Sequence, residues 1–270
     1  MNKYRKILFQ HLDGIACIST ILALNKAGIL DLILIKKTFS INDILSEKKI
    51  STGYLNVSLR TLRSLNFLDF EYKKNELKNI YHINNNFFEI LHHIHQIKLL
   101  DKILYYHTNY NNLSKVELKK YTTKIENFNL AELKKILSKN YYNFFEGIII
   151  GPILANISFY MHLNITNNNI SVNNPCDDFN QLIIELFKKI NYLNKNYEIT
   201  NKGLYFLTRS SSYGVTVSYL NTFNNLPTML TKNPNFIWER SKENNEIHVN
   251  REMNVWGSGG SHKLYFKKID

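Results

Sequence analysis

Leu8, Leu12, Ile15, Ile18, Leu22 and Ile29 recur at spacings of three, four and seven, the spacing of one helix face. The pattern predicts two helices over residues 3–35 that meet at Gly28. Their apolar face is wide, more than a small domain needs for its own core, so two readings stand side by side: packing against a second copy of the chain, or an ordinary buried helix. From 38 to 83 the order of elements is that of a winged helix. Ser40 can cap a short helix with Asp43 in its first turn, and Ser51 or Thr52 can cap a second helix with Leu55, Leu59, Leu62 and Leu65 on one face. Two β-prone runs, 67–72 and 80–83, follow. Residues 86–163 read as helical throughout, and 164–178 as a polar boundary rich in turn signals. Beyond it, F-K-K-I-N-Y-L-N-K-N-Y-E-I-T-N-K-G-L-Y-F-L echoes the first winged-helix pattern, which predicts a second, abbreviated unit over 177–230 with Thr200 or Asn201 capping its last helix. A polar connector, 231–252, holds one apolar anchor between Pro234 and Trp238.

Composition narrows the function classes. The chain has 270 residues, 44% hydrophobic, enough for one large or two to three small cores. Cys17 and Cys176 provide no disulfide framework and no metal spacing, which suits a reducing compartment. The net charge of +12 invites a nucleic-acid reading, but the basic residues are spread out, and heavy use of Asn, Ile, Lys, Tyr and Phe reflects A/T-rich coding. In a DNA reader the 52–65 helix would enter the major groove. Its outward positions, taken as Tyr54, Asn56, Ser58, Arg60 and Arg63, offer only two cations. The N-terminal run after Lys3, Arg5 and Lys6 is broken by His11 and Asp13. Lys26 and Asp31 interrupt the best apolar stretch, so a cytoplasmic chain with no membrane span is expected.

Candidate chemistry is sparse. His92, His93 and His95 could share a helix face, yet no Cys or carboxylate stands at helix spacing beside them, so no metal is expected. Residues 208–213, T-R-S-S-S-Y, could hold a phosphate or a hydroxylated substrate, or form a solvated turn. No Ser–His–Asp set, paired carboxylates at helix spacing or Walker-type loop can be assembled, so catalytic residues are not assigned. The remaining signal is the run 254–270, N-V-W-G-S-G-G-S-H-K-L-Y-F-K-K-I-D. It reads as an apolar run-in, a Gly-rich loop and a helix start, the way many anion sites begin.

That run resembles the segment upstream of the catalytic core in class I S-adenosylmethionine-dependent methyltransferases, including those associated with polyketide synthases. I-L-A-L-N-K-A-G-I-L-D-L, Y-L-N-V-S-L-R-T-L and F-F-E-G-I-I-I-G-P-I-L-A-N-I are similar to segments of the same group. The resemblance implies a winged helix used for dimerisation and as a lid, and a cofactor held by a Rossmann-type core that the sequence does not contain. The expected architecture is mostly α with small β wings, tandem winged-helix-like units joined by a helical spacer. Its parts are 1–85 (dimerisation domain), 86–163 (spacer), 177–230 (second unit) and 231–270 (connector and lead-in to the core). Trp256, Gly257, Ser258, Gly259, Gly260, Ser261, His262 and Tyr265 are the expected cofactor- or acceptor-binding residues. S-adenosylmethionine is expected in the complete enzyme and none for this chain alone. The expected partners are a second copy and a separate or downstream core, with no specific nucleic acid. A winged-helix nucleic-acid-binding regulator is the alternative, and a stand-alone scaffold without its catalytic half a third reading.

Overall fold

The computed structural model describes residues 3–76, 78–91, 93–166 and 168–269, with side chains for all of these except 76, 94, 96, 261 and 263–269. In chain order the elements are α1 (Lys3–Lys26), α2 (Ile29–Lys36), β1 (Thr38–Phe39), α3 (Ile41–Leu45), α4 (Thr52–Ser64), β2 (Leu68–Lys73), β3 (Lys78–Ile83), α5 (Asn85–Leu91), α6 (Ile94–Thr108), α7 (Lys115–Glu126), α8 (Leu130–Ile136), α9 (Lys139–Phe159), β4 (Leu163–Thr166), β5 (Asn169–Val172), α10 (Asp177–Lys189), α11 (Asn201–Leu207), α12 (Gly214–Ser218), α13 (Leu220–Thr231) and α14 (Arg251–Ile269). The chain is mostly helical with small antiparallel sheets, and includes a winged-helix domain. It divides into two compact units. One comprises Met1–Ile15, Leu99–Leu220 and Val249–Asp270, the other Ala16–Lys98 and Asn221–His248.

In the second of these units, Gly28 takes φ 63° between α1 and α2, a left-handed conformation that glycine adopts without a Cβ clash. Ser40 and Asp43 form a reciprocal capping box at α3: the Ser40 amide donates to Asp43 Oδ2 at 2.7 Å and the Asp43 amide to Ser40 Oγ at 3.3 Å. Strands β1, β3 and β2 make an antiparallel sheet in that order, with Phe39 opposite Tyr81 and Tyr81 opposite Phe70. The two-residue β1 was not foreseen, because so short a strand has no periodicity of its own. Residues 221–248 complete this unit. The Ser51 amide donates to the Leu230 carbonyl at 2.7 Å, and the Tyr54 hydroxyl to the Pro234 carbonyl at 3.0 Å.

The other unit is built around α9, which is buried without interruption from Tyr141 to Ile157. The stretch expected to be a polar boundary, 164–178, holds most of the β4–β5 hairpin, paired from Leu163 and Val172 to Thr166 and Asn169. Its asparagines concealed the alternation that marks a strand. Thr200 caps α11 as expected, accepting the Gly203 amide at 3.0 Å, although α12 and α13 follow.

Helix α1 is long and apolar enough to cross a membrane, and 72% of that apolar window is buried inside the protein. Leu8, Ile15, Ile18, Leu22 and Ile29 are all buried within the single chain. The wide apolar face that suggested a second copy is therefore taken up internally.

Candidate functional site

The chemistry of the α9-centred unit begins with two glycines. A Cβ on Gly14 would overlap the Phe144 backbone, and one on Gly147 would overlap that of His11. Only hydrogen fits at either place, so α1 and α9 cross in backbone contact. That contact seats the His11 ring against Glu146, two buried polar residues on apolar helices.

Around Glu146 a charged cluster is assembled from four separate parts of the chain. Lys202 Nζ, from α11, donates to Glu146 Oε1 at 2.8 Å and to the Ile190 carbonyl at 3.0 Å. His11 Nε2 stands 3.5 Å from the same carboxylate oxygen. On the other side of the ring, Tyr213 OH and His11 Nδ1 are 2.6 Å apart. With the phenol donating to Nδ1, the ring proton falls on Nε2, facing Glu146. Lys202 also lies over the Tyr192 ring at 5.1 Å. Burial alone would raise the Glu146 carboxyl, but the nearby His11 ring and then the Lys202 ammonium outweigh it and hold it down at about 2. Glu146 is therefore a fixed anion at neutral pH. Burial raises Tyr142, and the Glu146 charge raises it further, so that phenol stays protonated and can only donate or stack.

Two members of the cluster, Glu146 and Lys202, line a cleft of about 390 Å³. Lys3, Lys134, Lys139 and Lys202 line it together with Tyr142 and Asn143. Four ammonium groups face one carboxylate, and that carboxylate is already paired with Lys202. The arrangement can hold an anion. His11 and Tyr213 are buried behind Glu146, where they orient the carboxylate rather than supply reacting groups. A second cavity, about 360 Å³, shares Lys134, Tyr142 and Ile190 with the first and adds apolar walls from Leu130, Leu182 and Leu186, with Glu126, Lys135 and Lys189 also lining it.

The expected site residues are arranged differently. Residues 251–269 form helix α14 and not a Gly-rich loop. Asn250 Oδ1 accepts the Met253 amide at 3.0 Å, a cap that was missed, and Asn254 Nδ2 donates to Ser218 Oγ at 3.0 Å. Gly257 is buried against the backbone of Gly214 and Val215, so the glycine serves close helix packing and not a phosphate cradle. Trp256 is half-buried with its ring 5.4 Å from Phe159, and Ser258 is half-buried. Gly259 faces open space, Gly260 lies beside Ser211, and His262 is exposed. The side chains of Ser261 and Tyr265 lie outside the described residues. The T-R-S-S-S-Y run is not a solvated turn throughout, because Ser210 and Tyr213 are buried.

His92 lies outside the described residues, and the His93 and His95 rings stand 6.4 Å apart edge to face. Among the described residues no group of three or more His, Cys, Asp or Glu could hold a metal ion. On α4, Ser58 is buried rather than outward-facing, and Arg63 lies 3.8 Å over the Phe70 ring.

Residues 4–70 match the family model of the AprA N-terminal domain, and residues 146–233 match that of the AprA winged helix domain. No curated protein matches the chain. The winged-helix match starts within α9, well before the abbreviated unit expected at 177–230, and takes in the β4–β5 hairpin. Most of the first winged-helix pattern, by contrast, falls within the N-terminal match. The chain thus carries, in this order, an AprA N-terminal domain and an AprA winged helix domain.

Proposed function

We propose that this chain is the dimerisation and acceptor-side (lid) region of an S-adenosylmethionine-dependent methyltransferase acting on a small molecule or polyketide-type acceptor. The cofactor is then held by a core domain outside these 270 residues, and this region shields the acceptor from water. One observation carries the reading: the segments that resemble those methyltransferases fall within or beside the AprA-type domains, in the same chain order. Helix α14 supports it. Packed through Gly257, it offers Val255, Gly259 and His262 on a rigid exposed face instead of a loop that must be ordered around a ligand.

Calorimetry with S-adenosylmethionine tests the division of labour. The chain alone is expected to bind no cofactor in the micromolar range and to transfer no methyl group. Purified together with a class I methyltransferase core domain, it is expected to raise methyl transfer to the acceptor. Micromolar cofactor binding by residues 1–270 would mean that the site is complete here.

The nucleic-acid reading is disfavoured by α4 itself. Its N-terminal end, which would enter the major groove, is bonded to residues 230 and 234 of its own unit.

A further inference from the structure

We propose that the lysine-lined cleft of the α9-centred unit binds an amphipathic organic anion, with a phosphate or similar dianionic head on the lysines and a short apolar chain in the adjoining cavity. This site is independent of the methyltransferase reading, since it lies wholly within one unit of the chain.

The charge pattern comes first. Among the described residues Glu146 is the only acid lining the cleft, and it is committed to Lys202 at 2.8 Å. Lys3, Lys134 and Lys139 make no ion pair within 4 Å among the described residues. Lys139 is also the first residue of α9, whose 21 residues aim the positive end of their dipole at the same place. That first turn contains no acidic residue. Cations at a helix N-terminus are electrostatically unfavourable, and an anion relieves both the dipole and the mutual repulsion of the lysines. The cleft walls, lower in dielectric than water, focus that potential.

The shape supplies the second half. Lys134 Nζ reaches to 6.0 Å from the Tyr142 ring, and both residues line the cleft and the second cavity. A head group held by Lys134 and Lys139 therefore leaves its chain room beside Ile190, Leu182 and Leu186. At about 360 Å³ the second cavity suits a chain of a few carbons.

The test titrates the full chain calorimetrically with inorganic phosphate and then with methyl, butyl and hexyl phosphate at low ionic strength. Each buried methylene is expected to tighten binding roughly threefold to fourfold. Lys134→Ala with Lys139→Ala is expected to weaken every probe at least tenfold, whereas Lys119→Ala with Lys120→Ala, on α7, is expected to change nothing. Ala131→Trp, filling the apolar cavity, is expected to abolish the chain-length dependence and spare inorganic phosphate. Both lysines and Ala131 are exposed, so these variants are expected to fold, with melting curves as the check. Affinity independent of chain length, or equal losses in the two lysine pairs, would overturn the proposal.

Discussion

Glu146 shows how much one buried side chain depends on its partners. Glu146→Gln leaves Lys202 and His11 facing a neutral amide, and a loss of about 3 kcal/mol is expected in urea unfolding, the lower end of the range for a broken buried pair because Lys202 reaches solvent. Adding Lys202→Met should recover part of that loss. His107 sets the pH response. It is fully buried, its Nδ1 lies 2.5 Å from Tyr121 OH, and the Ile148 backbone only partly offsets the cost of burying its charge. Pro152, lacking an N–H, leaves the Ile148 carbonyl without its helical donor. Burial pushes the His107 pKa down to about 3, so between 6.5 and 3 the unfolded chain holds a proton that the folded one does not. Stability should then fall as pH is lowered through that window, by up to about 1.4 kcal/mol per unit. The Glu146 carboxylate adds a loss of the same sign only as pH falls from its ordinary value toward 2. Urea midpoints at pH 7.5 and 5.0 measure the slope, and His107→Phe should flatten it. An unchanged slope would assign the effect to other groups.

At the scale of elements, helices pack here through glycines whose roles the sequence does not distinguish. Gly147→Ala is expected to cost about 1–3 kcal/mol or more, since the methyl meets the His11 backbone and not a movable side chain. Gly259→Ala has open space around it in mid-helix and should stabilise α14 by up to about 1 kcal/mol. Thermal melts of the two variants should move in opposite directions. Should Gly259→Ala also impair methyl transfer in the presence of the core domain, the exposed face of α14 is where that domain packs. The helical run-in, the α3 and α11 caps and β2 and β3 were all legible, because periodicity and capping are local. The α14 helix was not, since glycine's low propensity pointed to a loop until packing on α12 overrode it.

For the whole molecule, the charge of +12 is spread over the surface, and α4 offers two outward arginines, one of them stacked on Phe70. Duplex DNA should bind weakly, without sequence preference, and lose affinity steeply with salt. Nanomolar, sequence-selective binding abolished by Arg60→Ala and Arg63→Ala would instead favour a regulator. A homodimer is supported by the resemblance alone, now that the apolar face of α1 is buried within one chain. Light scattering at tens of micromolar decides between one copy and two; Leu22 is a core residue, so a substitution there would report on folding rather than assembly.

What the sequence by itself determined is the helical class, the order of α3, α4, β2 and β3, and the α3 and α11 caps, each written within a few neighbouring residues. The candidate site was not legible there. His11, Glu146, Lys202 and Tyr213 belong to four stretches up to 202 positions apart, and each alone is an ordinary residue of an amphipathic or polar segment. Only the tertiary structure decided that they meet. The physical reason is the pair Gly14 and Gly147: without side chains at those two points, α1 and α9 come close enough for one ion cluster to form between them.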